Sequence, residues 1–175
     1  TGKSRWWRVV GSICRRWLPV TVPSQAFLYR GIELYKPTLG VKEGEFRESG
    51  DNAELVQLLN AGVERDNWVP RMDEHGKLLG LYSPFCPKLL ESRTRYASSA
   101  LESRCISEVM AQTDREDIPR DLPQEWKEEA ANLRNRLLGW RFLHRDKIAQ
   151  ATGKIDLGYV EPRLEQMALS LAKVI

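Results

Sequence analysis

Hydrophobic positions along the chain fall into two spacings, and their alternation predicts helices separated by short apolar strands. From Ser4 to Trp17, the residues Trp6, Val9, Val10, Ile13, Cys14 and Trp17 recur near the helical period. Pro19 ends that helix, and "PVTV" (19–22) predicts a strand. "SQAFLYRGIELY" (24–35) predicts a second helix started by Ser24 and weakened by Gly31. After Pro37, "TLGV" is a brief apolar strand that runs into the charged "KEGEF". Asp51 or Asn52 caps a helix carrying Leu55, Val56, Leu58 and Leu59, closed by Gly62. "WVPRMDEHGKLLGLYS" predicts a hairpin with "DEHGK" as its turn. "PKLLES" is a further buried strand, and "SSALESRC" is a short helix feeding a strand at "ISEVM". Strands alternating with helices predict a covered parallel sheet, hence an α/β fold.

The pattern changes after about residue 112. "QTDREDIPRDLP" is polar and holds two prolines, which reads as a linker. Beyond it Trp126, Ala130, Leu133, Leu137 and Trp140 form one apolar stripe at helical period. A last helix starts around Pro162 and buries Leu164, Met167, Ala168 and Leu171. The expected organisation is therefore an α/β core over 1–112 and an all-helical part over 113–175.

Composition narrows the class. The 175 residues are 42% hydrophobic and 29% charged, as in an ordinary globular chain that buries a core. No apolar run reaches the roughly 20 residues of a membrane span, and Arg5, Arg8, Arg15 and Arg16 interrupt any signal-peptide pattern. Cys14, Cys86 and Cys105 are odd in number and far apart, as expected of reduced thiols in a cytosol. Residues 1–36 hold seven Lys/Arg against the single acid Glu33, whereas 43–54 hold five acids against Arg47. That asymmetry permits contact with a polyanion, and equally describes a solvated basic face.

Candidate chemistry begins at Gly2-Lys3-Ser4. A full phosphate-binding loop reads G-x-x-x-x-G-K-[ST], and only its second half is present. Placed before a helix, such a segment is either an ordinary loop or the point where a helix N-terminus receives an anion. The order of G-K-S before a helix, an apolar strand ending in acids, a strand ending in Ser and then "ALESRC" resembles the AAA+ ATPases. It is most similar to the ATPase modules of replication proteins from phages, plasmids and other mobile elements, related to superfamily 3-type helicases and primase-helicases. "FRESGDNAELVQLLNAGVER", "ALESRCISEVM", "DIPRDLPQEWKEEAANLRNRLLGWRF" and "EPRLEQMALSL" carry the likeness over nearly the whole chain.

The resemblance implies a P-loop NTPase sheet with a helical lid, ATP and Mg²⁺ as cofactors, and roles for particular residues. Gly2, Lys3 and Ser4 would bind phosphate, with the Ser4 hydroxyl on Mg²⁺. Glu43 would orient the attacking water, while Lys42 stands where the family carries the Asp that supports the metal. An ammonium there repels a cation, and Gly40 and Gly44 loosen the same strand edge. Ser92 would sense the γ-phosphate, or else cap its own turn. Arg104 would be an arginine finger placed on the far edge from Lys3 and acting on a neighbouring subunit, or else a surface ion-pair residue. Arg163 would touch the nucleotide from the lid, or face solvent.

The first strand and first half of the loop precede Gly2 in that family, so the chain is expected to be the C-terminal part of a longer protein. Three functions follow. One is an ATPase acting on DNA as a homo-oligomeric ring in the cytoplasm. Another is a degenerate relative that folds without turnover. The third is a non-catalytic module binding single- or double-stranded DNA through its basic, Trp-rich start and through Arg134, Arg141 and Arg145. For that module Trp7 is the candidate stacking residue, the other tryptophans lying on apolar stripes.

Overall fold

The computed structural model describes residues 2–21, 23–42, 53–96, 98–112, 114–119 and 121–150, with Pro162 and Glu165. Glu43, the Asp51/Asn52 cap, Arg163 and the apolar residues of the last predicted helix lie outside the described residues.

Helix α1 (Lys3–Ile13) is shorter than its apolar spacing predicts. Arg16 adopts a left-handed backbone (φ 49°), and Cys14 is already extended (ψ 151°), so the chain turns before Trp17. Trp17 instead opens strand β1 (Trp17–Thr21). Helix α2 (Gln25–Tyr35) starts as expected, with the Ser24 side chain accepting from the Phe27 N–H at 3.3 Å. Strand β2 (Thr38–Lys42) and helix α3 (Ala53–Ala61) follow. A hairpin of β3 (Val69–Met72) and β4 (Leu78–Tyr82) turns at Asp73, whose carboxylate accepts from the His75 and Lys77 amides. Then come β5 (Lys88–Leu90), the short helix α4 (Ser99–Glu102) capped by Ser98, and the long helix α5 (Trp126–Gln150).

The fold is mixed α/β. Strands β1, β2 and β5 form one parallel sheet in the order β1-β2-β5, with Val20 opposite Val41 and Val41 opposite Leu90. Flanking helices bury its faces, as parallel sheets require. Leu39 and Val41 of β2 are fully buried against Leu28 and Ile32 of α2, Leu58 and Leu59 of α3, and Leu101 of α4. The hairpin packs on α2, where Tyr82 meets Tyr29 and Arg71 lies 4.8 Å from the Tyr29 ring centre.

Gly40 does not merely loosen its strand. The Trp17 indole lies between α1 and β2, and a Cβ at Gly40 would come within 2.0 Å of the ring. At Gly11 of α1 the same distance would be 2.2 Å. Trp7 closes this slot from above, edge-on to Trp17 at 4.7 Å between centroids. Trp7, the candidate for base stacking, is therefore buried, whereas Trp6 is 45% exposed.

Two other expectations change. "ISEVM" forms no strand: Ile106 and Val109 are 67% and 66% exposed, and residues 106–110 pair with no strand edge. A strand-like composition needs a partner in register, and this segment faces β5 only across an open groove. The apolar stripe of α5 is covered only at its start. Ala130 is buried against α1, where Arg134 Nη1 donates to the Ser12 carbonyl at 2.8 Å. Leu133, Leu137 and Trp140 further along remain exposed because α1 is too short to cover them.

Candidate functional site

The start of α1 is built to attract an anion. Gly2 is its N-cap and supplies no side-chain acceptor, and the first turn holds no acid. The first intrahelical bond runs from the Trp6 N–H to the Gly2 carbonyl at 2.9 Å. The amides of Lys3, Ser4 and Arg5 therefore precede the ladder, at the positive end of the helix dipole.

The two polar side chains of this turn reach the carboxyl end of the sheet. Lys3 Nζ donates to the Ser92 carbonyl at 3.1 Å, and Ser4 Oγ donates to Glu91 Oε1 at 2.9 Å. Glu91 is held there by its own amide, which continues the β2–β5 ladder to the Val41 carbonyl at 2.9 Å. Its other oxygen, Oε2, is buried without a hydrogen-bond partner among the described residues. Ligands of open α/β sheets bind beyond the carboxyl ends of the strands, which is where this cluster sits.

Lys3 and Glu91 also line a groove of about 890 Å³ along the outer edge of β5, which among the described residues is paired only with β2. Trp6 and Trp7 of α1 form one wall and Ile106, Val109 and Met110 another. Arg104 lines the same groove, and its Nη1 donates to the Ala100 carbonyl at 2.7 Å. The Ser92 hydroxyl is turned into its own bend, donating to the Thr94 carbonyl at 2.6 Å and accepting from the Thr94 amide. Lys42 ends β2 one step past the Val41–Leu90 pair, in the lateral position beside Glu91.

Below the groove lies a polar cluster that sequence reasoning did not single out. Lys88 Nζ donates to the carbonyls of Gly62, Pro84 and Cys86 at 2.8, 3.1 and 3.0 Å. Burial holds its ammonium below the usual lysine range. Burial also raises the Cys86 thiol, and burial together with the Glu102 charge pushes Cys105 up to about 11. A lysine inside "PKLLES" was the available signal, since a cation in an otherwise apolar strand needs buried acceptors.

Arg5 ties the linker to α1, donating to the carbonyls of Pro119 and Asp121. Arg134 is engaged at Ser12, which takes it out of the basic row expected to meet DNA. Among the described residues no helix is long and apolar enough to cross a membrane. Comparison of the chain with protein-family models, with curated proteins and with solved structures finds no match.

Proposed function

We propose that the junction of α1 and β5 binds the phosphates of ATP, in a P-loop-type α/β module related to replication ATPases. One observation carries this reading: Lys3 and Ser4, adjacent at a helix N-terminus, both meet the carboxyl end of a parallel strand. A cation, a hydroxyl and first-turn amides that precede the helical ladder are thus brought to one end of the sheet. That set suits a phosphate chain, whose oxygens accept from all three. The residues also suit a divalent ion carried with the nucleotide. Mg²⁺ keeps several waters and needs only one or two protein oxygens beside the phosphates, and Ser4 Oγ is one such oxygen. Bound Mg²⁺ would supply charge neutralisation at the phosphates.

The wider role rests on the resemblance. It comprises ATP hydrolysis by a homo-oligomeric ring on DNA, with Glu43 activating water and Ser92, Arg104 and Arg163 near the γ-phosphate. The non-catalytic DNA-binding alternative loses support from Trp7, which is buried, and from Arg134, which is bonded to Ser12.

Calorimetric titration tests the phosphate reading. Lys3→Ala is expected to weaken ATP at least about tenfold, one charged hydrogen bond being worth about 1.5–3 kcal/mol, while AMP changes little. Equal ATP affinity in parent and variant would overturn the assignment.

A further inference from the structure

Glu91 is the acid that the site's chemistry singles out, and nothing in the motif pattern pointed to it. It directly follows β5 and precedes Ser92, which the resemblance matches to the γ-phosphate-sensing residue, while Lys42 ends β2, where the resemblance expects the metal-supporting Asp. Register places these two positions side by side at the carboxyl ends of neighbouring strands. Laterally paired residues of a parallel sheet project from the same face. The end of β2 thus carries a cation, and the position beside it a carboxylate that meets the start of α1 through Ser4.

Three features fit Glu91 for a divalent ion. Its Oε1 is already 2.9 Å from the Ser4 hydroxyl, so hydroxyl and carboxylate converge without rearrangement of the backbone. Its Oε2 is buried and unpartnered among the described residues, and a buried carboxylate oxygen without a donor is costly unless a cation or water meets it. The third feature is number. No three Asp, Glu, His or Cys side chains converge anywhere among the described residues, so a resident all-protein cage is absent there. One carboxylate and one hydroxyl are what an ion arriving with phosphates requires.

Resting on the phosphate reading above, we infer that Glu91, together with Ser4, holds the divalent cation of a metal–nucleotide complex, in place of the acid missing at Lys42. The carboxylate accepts the Ser4 proton when no ion is present. With an ion bound, Ser4 turns its lone pair to the metal and Glu91 becomes a direct or water-mediated ligand.

Mn²⁺ binding followed by electron paramagnetic resonance tests this on the full chain, with ATP present, alongside metal-free ATP titration. Glu91→Gln keeps the size and the acceptor for Ser4 but removes the charge. It is expected to weaken Mn²⁺ at least about tenfold, a loss typical of disturbing a metal's ligand environment, while metal-free ATP affinity does not fall, because a negative charge beside the phosphates is removed. Ser4→Ala is expected to weaken Mn²⁺ as well, which supports the pair even if Glu91→Gln fails to fold. Unchanged Mn²⁺ affinity in either folded variant overturns the inference, and so does a parent that binds ATP but no Mn²⁺. A parent that binds no ATP at all overturns the phosphate reading itself, and the inference falls with it.

Discussion

Gly40→Ala is expected to destabilise the protein by about 3 kcal/mol, read as a fall in the urea midpoint at constant slope. The cause is the Trp17 slot. A methyl at Gly40 would sit 2.0 Å from the indole, and the ring cannot retreat because Gly11 of α1 stands on its other side. Either α1 moves away from the sheet or the indole leaves its position against Trp7. Both responses open the core between α1 and the sheet. Double-mutant coupling separates this from a propensity effect: adding Trp17→Leu should remove much of the Gly40→Ala cost. Strict additivity would show that the slot is not what excludes a side chain at residue 40.

Lys88→Met is expected to cost a similar amount, about 3 kcal/mol, although methionine is more hydrophobic and of similar length. Three carbonyls converge on Nζ, and a thioether satisfies none of them. Those carbonyls belong to Gly62 after α3 and to Pro84 and Cys86 in the connection before β5, so the ammonium ties two segments to the sheet. Burial lowers the lysine's pKa, so part of the gain from its hydrogen bonds is offset by desolvation. A thermal midpoint equal to the parent's would show that water or rearranged backbone replaces those bonds.

The architecture was legible where the local signal and the tertiary demand agreed. Ser24 caps α2, Gly62 follows α3, and "DEHGK" turns the hairpin, because each depends on backbone geometry within a few residues. The parallel sheet followed from strands spaced by helices. What was misread depended on distant partners. Trp17 has helical spacing from Trp6 and Ile13, yet the turn at Arg16 ends the helix and the indole enters a slot made by two glycines far apart in sequence. "ISEVM" has strand composition but lies across the groove from the open edge of β5 and does not pair with it. Trp6 and Trp7 exchange their expected burial because a one-residue step on a helix turns a side chain by 100°.

The candidate site shows the same division. Lys3 and Ser4 could be named from three letters, because a G-K-S segment before a helix carries its own mechanism. Glu91 could not, since its contact with Ser4 arises from the β2–β5 pairing that holds it at the end of the sheet. Lys42 was visible as a departure, but the carboxylate beside it was not.

The central claim is that phosphate binds at the start of α1, and amide hydrogen exchange by NMR tests it most directly. The amides of Lys3, Ser4 and Arg5 precede the helical ladder, which begins at Trp6. They should exchange quickly in the free protein. On addition of ATP with Mg²⁺ they should slow by at least about tenfold, with smaller changes after β5 near Ser92. Protection confined to α5, or none in the first turn of α1 while ATP is bound, would contradict the account.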